Sequence, residues 1–345
     1  MPRPGGPHRK PTMVDVARLA GVSHMTVSRF LRDDPSIRAE NRMRIEAAVA
    51  QLQYRPNLVA RSMRERQTGL LAILVPATTN AYSPARILSA ATVFAHEQGY
   101  EVEIVNVDGT AAARTRRALE LADSGLVEGV VSLAPLDDHQ LAALRTADVP
   151  VISVPDYDDE LNGTGVLLDA TPIVTIIEHL AELGHRRFFH VGGPLSHPAS
   201  LERKRAYLET TTRLGLIDCG VWQGDWSGSS GERAVQSLTA DCGVTAIVCT
   251  NDELAAGAIK GAAARGWRVP DDVSVTGWDN SPVGAYMPPG LTTVHVDHIL
   301  LGRRAMRRLV SLIRDEEPGQ DDLSALNTII WRGSVGPRNQ SRQAR

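Results

Sequence analysis

The chain has 345 residues, 43% of them hydrophobic and 22% charged, which is too long for one ordinary domain and too apolar for wholesale disorder. No run approaches the roughly 20 apolar residues of a membrane span, and the opening MPRPGGPHRK lacks the apolar stretch of a secretory signal, so a cytoplasmic protein of two or three domains is predicted. Net charge is only −3, but residues 1–66 carry +7 and the remainder −10; a small basic head on a larger acidic body points to a polyanionic partner for the head.

Within the head, Thr12 precedes Val14, Val16, Ala17, Leu19 and Ala20, an apolar set at helical spacing, and Thr12 with Asp15 forms a capping-box pattern. Gly21 stops this helix and Ser23 can cap the next. In the second helix Val27, Phe30 and Leu31 make a buried stripe, while Met25, Ser28, Arg29 and Arg32 lie at i, i+3, i+4 and i+7 on the opposite face. The connection is Gly21-Val22 plus the cap, so the spacing predicts a helix-turn-helix whose second helix can enter a major groove. A third helix with Ile45, Val49 and Leu52 closes a small core with Phe30 and Leu31; Arg38 stands at its start, and Ser36 is the available cap. Pro56 ends that helix, and Asn57 can cap a short one over residues 57–66. So few residues do not hold a helix alone in water, which predicts a segment that orders on DNA.

From residue 69 strands alternate with helices: LLAILVP, helix 84–98, EVEIVNV, helix 111–124, GVVSLAP, helix 138–147, PVISVP; then helix 172–184, RRFFHVGG, helices 198–214 and 230–240, TAIVCT, helix 252–265 and DVSVTGW. This order predicts two parallel-sheet units in series, hence a two-lobed α/β body, with ligand groups beyond the carboxyl ends of the strands. Those ends carry Asn80 and Tyr82, Trp226, Asn251 with Asp252, and Asp279 with Asn280, and Arg203 follows a GGPLS turn. Carboxylate, amide and guanidinium groups pair with vicinal hydroxyls, and an aromatic face suits the C–H face of a pyranose, so the set fits a sugar.

The stretches VDVARLAGVSHMTVSRFLR and RIEAAVAQLQYRPNLVARSM, then LGHRRFFHVGGPLS, GDWSGSSG, TNDELAAGA, VSVTGWDN and MPPGLTTV, resemble the LacI family of bacterial transcriptional regulators over nearly the whole chain. The resemblance implies a small all-α helix-turn-helix headpiece (1–56), a hinge helix and linker (57–68), a two-lobed periplasmic-binding-protein-like α/β body (69–336) and a basic tail (337–345). Lobe 1 would comprise about 69–165 and 297–317, and lobe 2 about 166–296 and 318–336. It implies DNA contacts by Thr12, Ser23, His24, Met25, Thr26, Ser28, Arg29 and Arg32, and by Asn57, Ala60 and Met63 of the hinge, where Met63 stands in place of the family's wedging Leu. It implies effector contacts by Asn80, Tyr82, Arg203, Trp226, Asn251 and Asp279. The implied activity is that of a sequence-specific repressor of carbohydrate-utilisation genes, a homodimer on a pseudo-palindromic operator, controlled by a small sugar. GDWS, PLDD (135–138) and the MPPGLTT end resemble galactoside-responsive members, which implies a galactoside or related disaccharide.

No enzyme signature competes. Gly163-Thr-Gly165 lacks the third glycine of a dinucleotide site, and there is neither a phosphate-binding loop nor a G-x-S-x-G elbow. His295 and His298 are three apart without a third ligand in register and read as structural; His185 and His190 flank a strand and read as packing or capping residues. Cys219, Cys242 and Cys249 read as reduced thiols. Neither a metal nor an organic cofactor is expected.

Overall fold

The computed structural model describes residues 11–31, 34–54, 68–76, 82–133, 136–137, 140, 143–144, 146–153, 169–195, 197–239, 242–317, 319 and 326–338. It divides into two compact units, Met1–Thr68 and Gly69–Arg345. Arg32, Asn57, Ala60, Met63, Asn80, the hinge over 57–67 and most of the helix expected over 138–147 lie outside the described residues.

The first unit is three helices: α1 (Met13–Ala20), α2 (His24–Phe30) and α3 (Ala39–Leu52). The capping box is complete: the Asp15 N–H donates to Thr12 Oγ1, and the Thr12 N–H donates to Asp15 Oδ2 at 2.9 Å. Gly21 then turns the chain at φ 61°, a left-handed conformation that favours glycine. Ser23 caps α2 by accepting from the Thr26 N–H at 3.1 Å. Val16, Ala17, Ala20, Val27, Ile45, Ala48 and Tyr54 form the core, with Phe30, Leu31, Val49 and Leu52 against it. One expectation is corrected. Ser36 does not cap α3; its N–H and hydroxyl both turn to Asp34, and Arg38 is the N-cap without any side-chain bond.

The second unit begins with β1 (Leu70–Pro76), α4 (Tyr82–Glu97), β2 (Glu101–Val107), α5 (Ala111–Ala122), β3 (Gly129–Ser132) and β4 (Val151–Ser153). These strands form a parallel sheet in the order β2-β1-β3-β4. Then come α6 (Thr171–Glu182), β5 (Arg187–Gly192), α7 (Pro198–Arg213), β6 (Ile217–Gln223), α8 (Gly228–Gln236), β7 (Ala246–Cys249), α9 (Asp252–Ala264) and β8 (Ser274–Thr276). The second sheet is again parallel, in the order β6-β5-β7-β8, so both lobes share one strand order. In each, the order reverses beside the first strand, between β1 and β3 and between β5 and β7, the place where open α/β sheets take ligands.

Two strands were not anticipated, and a third was expected only as a strand-to-helix junction near His295 and His298. β6, IDCGVWQ, is an edge strand with little burial, paired only with β5 and bulged where Gly220 takes φ 124°, so it has no alternating apolar pattern. β9 (Thr293–Val296) and β10 (Asn327–Ile330) form a separate antiparallel ribbon whose strands are 31 residues apart in sequence. After α10 (Pro282–Tyr286) and β9, the chain enters α11 (His298–Arg314), which buries Ala305, Met306, Leu309 and Val310 against Leu71 and Ile73 of β1 and Val131 of β3. α11 is therefore part of the first lobe, although β9 before it and Ser334 after it belong with the second: Ser334 accepts from the Thr292 N–H at 2.8 Å and donates to the Val275 carbonyl at 2.6 Å. An apolar seam joins the lobes, with Ile87 of α4 and Leu301 of α11 in the cluster that holds Ile173, Trp278, Val294 and Val296.

α8 and α9 meet glycine to glycine. A Cβ built on Gly257 would lie 1.8 Å from the Gly228 carbonyl oxygen, and one on Gly231 2.0 Å from that of Leu254. Gly257→Leu is expected to force these helices apart at a cost of about 3 kcal/mol or more, read as a lowered thermal midpoint. His190, wholly buried and stacked on Tyr207 at 4.8 Å, is pushed down to about 3 by burial, from its ordinary 6.5. Folding therefore favours the neutral ring: its contribution is fully present above pH 6.5 and is lost as pH falls toward 3. Acid unfolding of the wild type should be steeper below pH 6.5 than that of His190→Gln.

Candidate functional site

On α2 the apolar side is spent on the core and the outer side is partly committed. His24 and Met25 are exposed, Met25 by 65%, and Ser28 is half-buried. Thr12 is held by its capping box, and the Ser23 and Thr26 hydroxyls bond each other at 2.8 Å. Arg29 donates from Nε to Asp34 at 2.8 Å and from Nη2 to Ser36 Oγ. Bonds from Arg29 and Ser36 hold the Asp34 carboxyl well below the usual carboxylate range, and Asp34 in turn raises Arg29. The guanidinium is thus braced against the α2–α3 turn while about half of its side chain stays in solvent.

The second assembly gathers at the carboxyl ends of β5, β6, β7 and β8. Arg203, on the buried face of α7, lays its guanidinium 3.9 Å from the Trp278 ring and donates from Nη1 to the Thr250 carbonyl at 2.8 Å. It is only 8% exposed, its Nε has no partner, and burial pushes it down to about 10 against the opposing pull of Asp279. A buried guanidinium with an unused N–H is costly unless something polar completes it.

Asn251 caps α9: Oδ1 accepts from the Leu254 N–H at 2.7 Å, and Nδ2 donates to the Trp226 carbonyl at 3.1 Å. That leaves one amide hydrogen beyond these two bonds. Trp226, half-buried and at φ 67°, lies over Gly193, where a Cβ would come within 2.4 Å of the ring, and meets the His197 ring edge-on at 5.7 Å. Burial, and then Arg114 of the first lobe, lower His197. Asp279, at φ 97°, keeps 19% of its side chain exposed; its N–H donates to the Val294 carbonyl at 2.8 Å, and Oδ1 lies 3.6 Å from His298 Nε2. Arg203, Trp226, Asn251 and Asp279 are thus brought together around the ends of one sheet. Tyr82 opens α4, and its side chain lies outside the described residues.

The sequence reading did not single out the roles of Trp278, His298 and Asp252. Asp252 is buried and accepts from the Ser281 N–H and the Thr293 hydroxyl, both at 2.5 Å, while its own N–H donates to the Trp278 carbonyl at 2.8 Å. Burial pushes its carboxyl up to about 7. It fastens the Asp279 loop to the start of α9 and is a structural clamp. The one cue in the sequence was its place beside Asn251. Among the described residues no group of three or more His, Cys, Asp or Glu could hold a metal ion, and no helix is long and apolar enough to cross a membrane.

Comparison with known proteins adds to this geometry. Residues 12–57 match the model of bacterial regulatory proteins of the lacI family, and residues 177–335 that of a periplasmic binding protein-like domain. The chain carries a LacI-family helix-turn-helix domain followed by a periplasmic-binding-protein-like domain. It is a DNA-binding transcriptional regulator governed by ligand binding, with the helix-turn-helix head and two-lobed α/β body of that family. The chain is 29% identical over 340 residues to the lactose operon repressor of Escherichia coli K12, covering 97% of this chain and 93% of that one. It is also 29% identical over 330 residues to the HTH-type transcriptional repressor PurR of Aliivibrio salmonicida, covering 94% and 98%. A structure of the lac repressor bound to ONPG in the repressed state superposes with a TM-score of 0.81 at 28% identity, over 95% of this chain and all of that one. A complex of the regulator CelR with cellobiose superposes at 0.65 with 28% identity, over 94% and 99%. These relatives are transcriptional regulators.

Asp252→Ala should leave the Ser281 N–H and the Thr293 hydroxyl buried without an acceptor. The expected loss is about 1–3 kcal/mol, measured by denaturant unfolding, with the head's α-helical signal unchanged.

Proposed function

We propose that this LacI-family regulator is a repressor of carbohydrate-utilisation genes whose operator affinity is set by a small sugar held among Arg203, Trp226, Asn251 and Asp279. The observation that carries the reading is the buried, incompletely bonded Arg203 guanidinium beside the half-open Asp279 carboxylate. A polyol can satisfy both groups at once, offering acceptor oxygens to one and hydroxyl donors to the other. The ONPG and cellobiose complexes of relatives support a glycoside, and a galactoside or related disaccharide is the class favoured.

The working division is head 1–56, hinge and linker 57–68, body 69–336 and tail 337–345. Lobe 1 comprises about 69–165 with 297–317, and lobe 2 about 166–296 with 318–336. Two heads of a cytoplasmic homodimer meet a pseudo-palindromic operator, since a two-fold protein calls for two-fold DNA. His24, Met25, Ser28 and Arg29 face the groove, Thr12, Ser23 and Thr26 hold phosphates, Arg32 extends the same face, and Asn57, Ala60 and Met63 supply the hinge contacts, Met63 as the minor-groove wedge. By linkage, a sugar that weakens operator binding binds the DNA-free protein more tightly by the same factor.

The test is a gel shift on the DNA upstream of the protein's own gene. Specific retardation is expected that weakens steeply with salt. Arg29→Ala should weaken it by about tenfold or more. Lactose or cellobiose should release the DNA, and sedimentation should give the mass of two chains. Absence of any specific retardation at moderate salt, with and without sugars, would sink the reading.

A further inference from the structure

His298 was read from the sequence as a structural histidine, and its place in the fold gives it a second task. It is the first residue of α11, so its backbone begins the helix that packs into the first lobe. Its ring, with a side chain only 2% exposed, points back to the second lobe, where Nε2 lies 3.6 Å from Asp279 Oδ1. That separation is within ion-pair range and just beyond hydrogen-bond length, so a small rotation of the half-open carboxylate closes it.

The orientation of His298 is set from its own element. Asp297 caps α11 by accepting from the Leu300 N–H at 2.9 Å, which fixes the first turn that carries the imidazole. Asp279 is set from the other side. The residue sits at φ 97°, and Asn280 beyond it, at φ 51°, accepts from Arg332 Nη2 at 2.8 Å and contacts His295 Nδ1 at 3.3 Å. Arg203 of α7 and Asp252 and Glu253 of α9 are the other charged groups that sense Asp279. Arg203 has two fixed partners, and both acids repel the carboxylate. His298 is therefore the ring nitrogen placed to hold one Asp279 oxygen in a defined direction.

The geometry points to His298 as a positioning and specificity-determining residue for the effector: by engaging one oxygen of Asp279 it turns the remaining lone pairs outward to receive two adjacent hydroxyls of a sugar. The inference rests on the sugar reading for the identity of the ligand, but the pairing itself does not. An ionised carboxylate offers about four acceptor sites. With one taken by the imidazole, the outer ones are fixed in angle and can discriminate between cis and trans vicinal diols. An apolar side chain at position 298 would leave the carboxylate free to turn and would erase that discrimination.

Two measurements on the full chain test this. The first compares the imidazole 15N resonances of His298, assigned by their absence in His298→Phe, between wild type and Asp279→Asn at one pH. A shift at Nε2 larger than at the other histidines is expected; no shift would overturn the pairing. The second is calorimetric titration of wild type, His298→Phe and His298→Gln with D-galactose, methyl β-D-galactoside, lactose and cellobiose. Gln keeps an N–H near the Nε2 position. Phe should weaken the tightest sugar by about tenfold and narrow the spread among the four, while Gln should stay within about threefold of wild type. Phe binding as wild type does, or Gln failing as badly as Phe, would overturn the proposal and leave His298 as packing. If the wild type binds none of the four sugars, the glycoside reading falls and the 15N comparison alone decides whether His298 holds Asp279.

Discussion

Charge buried at the carboxyl end of the second parallel sheet is the constraint around which the body is organised. Taking a guanidinium and a carboxylate out of water is expensive unless each finds partners. Arg203 recovers part of that cost from the Thr250 carbonyl and the face of Trp278, and Asp252 from the Ser281 N–H and the Thr293 hydroxyl. Each of those partners lies on a segment that follows a strand of this sheet or on the ribbon beside it. The polar end of the sheet is thereby cross-braced: α7 is tied to the end of β7, and the start of α9 to the Asp279 loop and β9. Arg203 Nε is left with nothing, and Asp279 is left half-open. The same rigid surroundings therefore hold one unsatisfied donor and one partly open acceptor.

The head obeys the same economy on a smaller scale. Its side-chain oxygens cap helices before they do anything else: Thr12 serves α1 and Ser23 serves α2. Arg29 is braced by Asp34 and Ser36, so its guanidinium is held in place by the turn between α2 and α3. His24 and Met25 remain outward. A helix of seven residues is not stable alone, and it exists because Val27 is buried between α1 and α3.

α11 joins the two lobes by chemistry as well as by chain connectivity. Its apolar stripe belongs to the first lobe through Ala305, Met306, Leu309 and Val310, and its first residue meets the Asp279 carboxylate of the second. Ile87 and Leu301 seal the seam beside that contact. Asp279 thus lies against the first residue of a helix that packs, through Ala305 to Val310, into the opposite lobe.

Local rules carried much of the architecture. Thr12-x-x-Asp15, Gly21 and Ser23 marked the head's helix ends because caps and left-handed turns depend on neighbours within four residues. Continuous apolar runs such as LLAILVP and TAIVCT marked strands buried on both faces. Where local chemistry was ambiguous, tertiary contacts decided. Ser36 had the right residue type for a cap, yet Asp34 and Arg29 claimed it. β6, with one neighbour and a glycine bulge, had no pattern to read, and the β9–β10 ribbon formed between segments far apart in the chain. The sequence alone determined which residue types stand at the strand ends: Arg203, Trp226, Asn251 and Asp279 were legible there. Only the folded chain decided how much of each was left over, because that depends on partners distant in sequence. Asn251 is largely spent on its helix and on Trp226, Asp252 is wholly enclosed, and Arg203 is buried with an N–H to spare. His298 looked like packing because its partner lies nineteen residues earlier in the chain, across a loop and a strand, and no local rule spans that distance.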